Sequence, residues 1–144
     1  NHDDGRVGYW IMGDNGQPAS WTVFPNQVSI AWDLVGIGDF NADGSDDLLW
    51  KNLGSQQMGV WYLGEGFAIS SLGLLTWNAP PGGTVTGVAD FDNDGVSDIL
   101  WSLAASVYRI WFMQPEGASG STLNVREVTN PLLDVGDQWR ANGN

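Results

Sequence analysis

One acidic loop occurs twice in this chain, 51 residues apart, and this repeat constrains the fold more than any other feature. Residues 35–50 and 86–101 each run from a short apolar segment, through the loop, into a second apolar segment that ends in tryptophan. Trp10, Trp61 and Trp111 follow nearly the same spacing. A period between about 20 and 50 residues is typical of chains built from stacked structural units. The sequence therefore predicts an internal duplication with units of about 50 residues.

Each unit contains four short segments that alternate as strands do, at 35–39, 47–53, 58–63 and 67–75. Turns rich in Gly, Asn, Asp and Pro separate them, and no segment keeps a helical apolar period. Four strands in about 50 residues is the arithmetic of a β-propeller blade. We predict an all-β fold of four-stranded antiparallel blades, in one domain divided into a partial blade 1–34, blades 35–83 and 84–130, and a partial blade 131–144.

The two loops carry oxygen-bearing side chains at loop positions 1, 3, 5 and 9, with glycine at position 6. Such turns also occur without a ligand. Here, however, the packed carboxylates would repel one another without a cation, and hard oxygen ligands at this spacing suit Ca²⁺ better than Mg²⁺. We predict two calcium sites, the second binding more tightly because it has one more carboxylate. The predicted ligands are Asp39, Asn41, Asp43 and Asp47, then Asp90, Asp92, Asp94 and Asp98.

The motifs Gly-Asp-Phe-Asn-x-Asp-Gly-x-x-Asp-Leu-Leu-Trp and Asp-Phe-Asp-x-Asp-Gly-x-x-Asp-Ile-Leu-Trp resemble FG-GAP/VCBS repeats. That family forms calcium-binding propeller blades in integrin α-subunits and in many secreted bacterial proteins. The resemblance covers nearly the whole chain. It implies a β-propeller with Ca²⁺ in the loop between the first two strands of a blade. It also implies that Ser45 and Val96 contribute backbone carbonyls to the metal.

The ends of the chain depart from the family pattern. Asn1 aligns just after a loop and Asn144 just before one, so joining two copies would leave a blade without the equivalent of residues 38–51. We expect either a piece of a longer propeller or a protomer that associates with copies of itself. Head-to-tail contacts of that kind give a closed ring or a filament. Because the chain starts at Asn1 rather than Met, we also expect a processed or excised chain whose signal peptide is gone.

The charge balance excludes some partners. Seventeen acidic residues against five basic ones give a formal charge of −12, which argues against nucleic acid and anionic membrane surfaces. No apolar run approaches the roughly 20 residues of a membrane span, so no membrane insertion is expected. There is no cysteine, hence no disulfide or thiolate site. We expect a secreted, extracellular or cell-surface location, where calcium is abundant.

The nine tryptophans divide by whether they follow the period. Those that follow it are predicted to be core: Trp10, Trp50, Trp61, Trp101 and Trp111, with Trp32 and Trp139 in blade packing. Trp21 and Trp77 break the period, which makes them candidates for an exposed ligand or interface contact.

Catalytic chemistry finds little support. His2 is the only histidine and lies in the first residues, so a Ser–His–Asp triad is improbable. Glu65, Glu116, Glu127 and Asp134 leave a glycosidase-like carboxylate pair open, although scattered surface acids explain them more simply. We therefore predict a non-enzymatic calcium-binding module for adhesion or self-assembly. The alternatives are a carbohydrate-binding lectin that uses tryptophan-lined sites and, third, an accessory domain of a secreted hydrolase.

Overall fold

The computed structural model describes residues 4–104, 107–115 and 122–129. In this part of the chain the structure is all-β, as predicted, with one 3₁₀ turn at Glu65–Phe67 and no α-helix. The strands are β1 Arg6–Met12, β2 Pro18–Gln27, β3 Trp32–Gly38, β4 Asp47–Asn52, β5 Gln57–Leu63, β6 Ile69–Asn78, β7 Thr84–Ala89, β8 Asp98–Leu103, β9 Val107–Pro115 and β10 Thr122–Thr129.

Sequential antiparallel pairing builds the sheets. Strands β3, β4, β5 and β6 pair in chain order and form the first sheet. Strands β7, β8, β9 and β10 pair in the same order and form the second sheet. A short parallel pairing joins the two sheets, with Leu74 opposite Thr122 and Leu75 opposite Leu123. Strands β1 and β2 form a separate hairpin.

The main hydrophobic core lies between the two sheets. Leu49, Met58 and Val60 of the first sheet belong to the same buried cluster as Ile99 and Trp101 of the second. Strand β3 also contacts β7. Burying these side chains against one another supplies the apolar contact that neither sheet has alone.

The opposite face of the first sheet packs against the β1–β2 hairpin. Leu48 and Trp50 alternate with Leu49 along β4, so they point to the other face. They form a second buried cluster with Phe24, and Val7 and Tyr9 of the hairpin pack against it. The molecule is therefore layered in chain order: hairpin, first sheet, second sheet.

The periodic tryptophans repeat one packing arrangement. Trp50 and Trp61 have ring centroids 5.0 Å apart, and one unit later Trp101 and Trp111 have the same separation. Trp50, Trp101 and Trp111 are buried, and Trp61 is partly buried. The core prediction holds for these four.

The core prediction for Trp10 is wrong, because this side chain is 62% exposed. Trp10 lies on a hairpin of two strands. By the repeat alignment, its ring would pack against a tryptophan from a strand like β4, which the hairpin does not contain. Trp32 is partly buried, in agreement with a packing role. Trp139 lies outside the described residues.

The predicted division of the chain into blades stays a prediction. Strand β3 begins at Trp32, three residues before the predicted blade 35–83, and β7 begins at Thr84. The predicted partial blade 131–144 lies outside the described residues. Among the residues that the structure describes, no helix has the length and hydropathy to cross a membrane.

Candidate metal centre

The first candidate loop connects β3 to β4 and is organised around the carboxylate of Asp39. Its Oδ1 accepts a hydrogen bond from the backbone N–H of Asp43 at 3.2 Å, and its Oδ2 accepts one from Gly44 at 2.8 Å. Asp43 in turn accepts the N–H of Ser45 at 2.8 Å. The loop thus winds its backbone N–H groups around its own acidic side chains.

The second loop, between β7 and β8, repeats this network. Asp90 accepts the N–H groups of Asp94 at 3.1 Å and of Gly95 at 2.9 Å, and Asp94 accepts that of Val96 at 2.9 Å. Two loops of different sequence therefore adopt one geometry. The repeat at the sequence level is a repeat in hydrogen bonding as well.

The winding requires a left-handed backbone at the same two points of each loop. Ala42 and Gly44 have φ of 60° and 85°, and Asn93 and Gly95 have 61° and 90°. A residue with a Cβ is strained in this left-handed region. Glycine avoids the strain at position 6 of both loops, whereas Ala42 and Asn93 adopt the conformation at position 4.

The last acidic residue of each loop is fully buried and ties the loop to the next strand of the sheet. Asp47 accepts the N–H of Phe40 at 2.9 Å and that of Leu63, on β5, at 2.8 Å. Asp98 accepts the equivalent pair, from Phe91 at 2.8 Å and from Met113, on β9, at 2.9 Å. These two carboxylates fix where the loop sits on its sheet. Sequence reasoning did not identify the donors, because a backbone N–H leaves no signal in residue type.

The electrostatics of the loops favour a bound cation. Burial raises the pKa of Asp47 to about 6, and the neighbouring charges of Asp43 and Asp39 add to the rise. Burial likewise raises the pKa of Asp98, again with contributions from the loop carboxylates. Without a cation, these two carboxylates therefore resist ionisation. A divalent ion would remove that resistance.

The second loop gathers carboxylates more closely. One oxygen from each of Asp90, Asp92 and Asp98 lies within 4.8 Å of the others, an arrangement able to hold a metal ion. Asp94 directs one oxygen to the N–H of Val96. In the first loop the Asn41 amide donates to Asp43 at 2.9 Å. The geometry is not specific to calcium.

The two loops lie side by side, which the sequence did not predict. The N–H of Ser97 donates to the carbonyl of Asp39 at 2.6 Å. Val96 is buried, in one cluster with Phe40, whereas Ser45 is partly buried. The predicted role of the Ser45 and Val96 carbonyls stays a prediction.

The two non-periodic tryptophans lie on strands and not in the loops. Trp21, on β2, is 61% exposed, and its ring centroid is 6.1 Å from that of Trp10. Trp77, on β6, is 50% exposed and meets Trp111 edge-on at 6.0 Å. Their predicted exposure is confirmed, and their predicted ligand role stays a prediction.

Of the acids left open for catalysis, the structure describes the side chain of Glu65 alone. Glu65 is exposed on the 3₁₀ turn. Glu127 lies on β10, and His2, Glu116 and Asp134 lie outside the described residues.

Comparisons of the chain with protein-family models, with curated proteins and with solved structures found no match. The resemblance to FG-GAP/VCBS repeats therefore rests on the quoted motifs alone.

Proposed function

We propose that the chain is a non-enzymatic, calcium-stabilised module of the extracellular β-propeller type that serves adhesion or self-assembly. It acts as a protomer that associates with copies of itself or as part of a larger propeller. The observation that carries the proposal is the hydrogen-bond network shared by the two loops. In each loop two backbone N–H groups donate to the carboxylate at position 1. FG-GAP/VCBS-like motifs at both loops support the same interpretation.

Calcium is the preferred ion for both sites. All the predicted side-chain ligands are oxygen donors, which suits the larger ion, whereas Mg²⁺ requires a tighter octahedral shell. The formal charge of −12 also favours cation binding. Because each loop is tied to its sheet through Asp47 or Asp98, a bound ion would stabilise the fold.

The stabilisation expected from calcium is modest but useful. Extracellular calcium modules bind with Kd of about 10⁻⁴ to 10⁻³ M. At a tenfold excess of calcium over Kd, each site would add about 1.4 kcal/mol to the free energy of unfolding. A structural role needs no more than this, since whole domains are stable by only about 5–15 kcal/mol.

Isothermal titration of the chelator-stripped protein tests the metal sites. We expect two calcium-binding events, of which Asp90→Asn removes the tighter and Asp39→Asn the weaker. Asp46→Asn is the matched control, since it removes the same charge from an exposed loop position that is not a predicted ligand. Equal loss of affinity in Asp46→Asn, or equal binding of magnesium, would contradict a calcium-specific site.

Light scattering with and without EDTA tests the assembly role. We expect an oligomer in calcium that dissociates when the ion is removed. A folded monomer of 15.6 kDa in both conditions would contradict self-assembly and would leave adhesion through another partner.

Carbohydrate binding is the second candidate, and one observation favours it. Trp10 and Trp21 present two exposed rings side by side on the hairpin. Aromatic faces of this kind can stack on sugar rings. A sugar-dependent shift in tryptophan fluorescence that Trp21→Ala abolishes and Trp77→Ala retains would support it.

A further inference from the structure

An apolar groove runs between the hairpin and the inner half of the first sheet. Its volume is about 230 Å³, and its lining includes Val7, Tyr9, Leu34, Ile37 and Leu48. We call it the β1 groove. Leu34 and Ile37 are 43% and 53% exposed, although both are large aliphatic side chains on a strand that otherwise packs on a core.

The second sheet has the same two positions, and there they are covered. Val85 and Val88 stand one repeat after Leu34 and Ile37, and they pack against the main core. The covering element is β3: a Cβ built on Gly36 or Gly38 would lie 2.7 or 2.6 Å from the methyl groups of Val88. Only a strand with glycine at these points can approach so closely.

Hydrogen bonds secure this covering in the second sheet. The N–H of Ser97 donates to the carbonyl of Asp39 at 2.6 Å, and Lys51 Nζ donates to the carbonyl of Gly83 at 3.1 Å. The chain therefore contains one filled example of the contact that the β1 groove leaves exposed.

Strand β1 also lacks a neighbour that its equivalents have. By the repeat alignment β1 corresponds to β5 and β9, which pair with β4 and β8 on one side and with β6 and β10 on the other. Among the described strands, β1 pairs with β2 alone. Since β2 takes the place of β6, the remaining edge of β1 is the one on which a strand like β4 would lie.

We propose that the β1 groove binds a β-hairpin of the β3–β4 kind, supplied by a partner, through strand addition. The second strand of that hairpin pairs antiparallel with β1, and its first strand covers Leu34 and Ile37. This deepens the proposed role as part of a larger propeller and rests on it, because it specifies the surface of this chain and the chemistry of the partner. Backbone pairing gives the affinity in strand addition, and the fit of alternate side chains gives the specificity.

The chain contains two hairpins of this kind, β3–β4 and β7–β8, and they differ in their glycine pattern. Strand β3 has Gly36 and Gly38, whereas β7 has Gly87 and Ala89 at the same positions. The Cβ built on Gly38 lies 2.6 Å from Val88, and Ile37 is the residue equivalent to Val88, so in a contact of the same kind a methyl group at the second position would collide with Ile37. The groove therefore selects a hairpin with the Gly-x-Gly pattern of β3.

The test adds a synthetic peptide of residues 32–52 to the full chain in excess calcium and follows titration heat and amide hydrogen exchange. We expect one peptide per chain and exchange at β1 slowed about tenfold or more at saturation. Exchange at β2 is the internal control and stays unchanged. The peptide with Gly36→Ala and Gly38→Ala, and the peptide of residues 83–103, should bind at least about tenfold more weakly.

Ile37→Ser in the full chain is the matched protein variant, since it alters an exposed side chain of the groove. It should weaken the peptide while leaving the calcium titration unchanged. The proposal is overturned if the peptide does not bind, or if the alanine peptide binds equally well. It is also overturned if the amides of β1 are already protected from exchange in the free protein. In that case the groove is filled by a second copy, if light scattering shows a dimer, or by the same chain, if it shows a monomer.

The two proposals fail separately. Absence of calcium binding together with peptide protection of β1 would overturn the calcium function and retain the groove. Two calcium sites with no peptide binding would retain the calcium function and overturn the groove proposal.

Discussion

At the scale of single residues, the buried carboxylates Asp47 and Asp98 are central to the site. Each accepts one N–H from its own loop and one from the neighbouring strand of the sheet, β5 or β9. A carboxylate can accept several hydrogen bonds and still offer lone pairs to a cation. These residues therefore join loop shape and strand position in one side chain, and in the proposed site they would also hold the metal.

Removing this acceptor should destabilise the protein even without metal. Asp47→Ala leaves the N–H groups of Phe40 and Leu63 without their acceptor, at about 1–3 kcal/mol for each buried donor. We expect a loss of about 2–4 kcal/mol in urea denaturation at pH 5 in EDTA, where repulsion among the loop charges is smaller. The exposed Asp46→Ala should change stability by less than about 0.5 kcal/mol, and equal effects would contradict the anchoring role.

The raised pKa of Asp47 predicts an unusual pH dependence. The native pKa of about 6 lies above the ordinary aspartate pKa of 3.8, so between these values the native state binds more protons than the unfolded state. Stability of the metal-free protein should therefore rise as pH falls from 7 toward 4 and be lost as pH rises through about 6. Urea denaturation in EDTA at pH 5 and pH 7 measures this change in the free energy of unfolding.

Calcium should reverse this trend, because the ion requires the ionised carboxylate. The stabilisation by saturating calcium should shrink as pH falls below about 6. An unchanged pH slope in Asp47→Ala would show that other groups are responsible.

At the scale of elements, β3 is the strand on which the contact between the sheets depends. It lies against β7, and its glycines lie against Val88. Strand propensity alone would disfavour two glycines in seven residues. Close approach of the two backbones explains them, because side chains at these positions would separate the sheets.

Adding one methyl group to β3 should therefore be costly. In Gly38→Ala the new Cβ would lie 2.6 Å from Val88 and 2.7 Å from the Ser97 hydroxyl. We expect a loss of about 1–3 kcal/mol from overpacking, measured by denaturation in calcium. Gly54→Ala is the control, since its Cβ would meet only the Asn52 side chain, at 3.5 Å. A similar small change in both variants would contradict the close packing.

At the scale of the whole molecule, position in the stack decides which repeated residues are buried. Phe40 is fully buried beneath the second loop, whereas Phe91, one repeat later, is 44% exposed. Leu34 and Ile37 show the same contrast with Val85 and Val88. Phe40, Val85 and Val88 lie against another layer, whereas Leu34, Ile37 and Phe91 lie where no described layer covers them. Exposed apolar patches of this kind mark association surfaces.

Alanine variants of two leucines in the first sheet compare a buried position with an exposed one. Leu49→Ala opens the core between the sheets and should cost about 2–5 kcal/mol in denaturation. Leu34→Ala removes the same atoms from the exposed groove and should cost less than about 1 kcal/mol. If the two variants lose equal stability, the groove is filled in the free protein.

The repeat, the strand content and the acidic loops could all be read from residue types, because alternation, turn chemistry and ligand spacing are local patterns. The burial of Asp47 and the strain at Ala42 could not, since both depend on where the loop meets the sheet. Trp10 illustrates the limit most clearly. Its spacing matches Trp61 and Trp111, yet it is exposed because the hairpin has only two strands.

By itself the sequence determined the unit length, the all-β class and the eight side chains of the two candidate sites. The tertiary structure decided which copy of each repeated residue is covered. It also placed the two loops side by side and exposed the groove beside β1. The reason is physical: a repeated sequence gives every unit the same faces, but only a neighbouring layer removes a face from water.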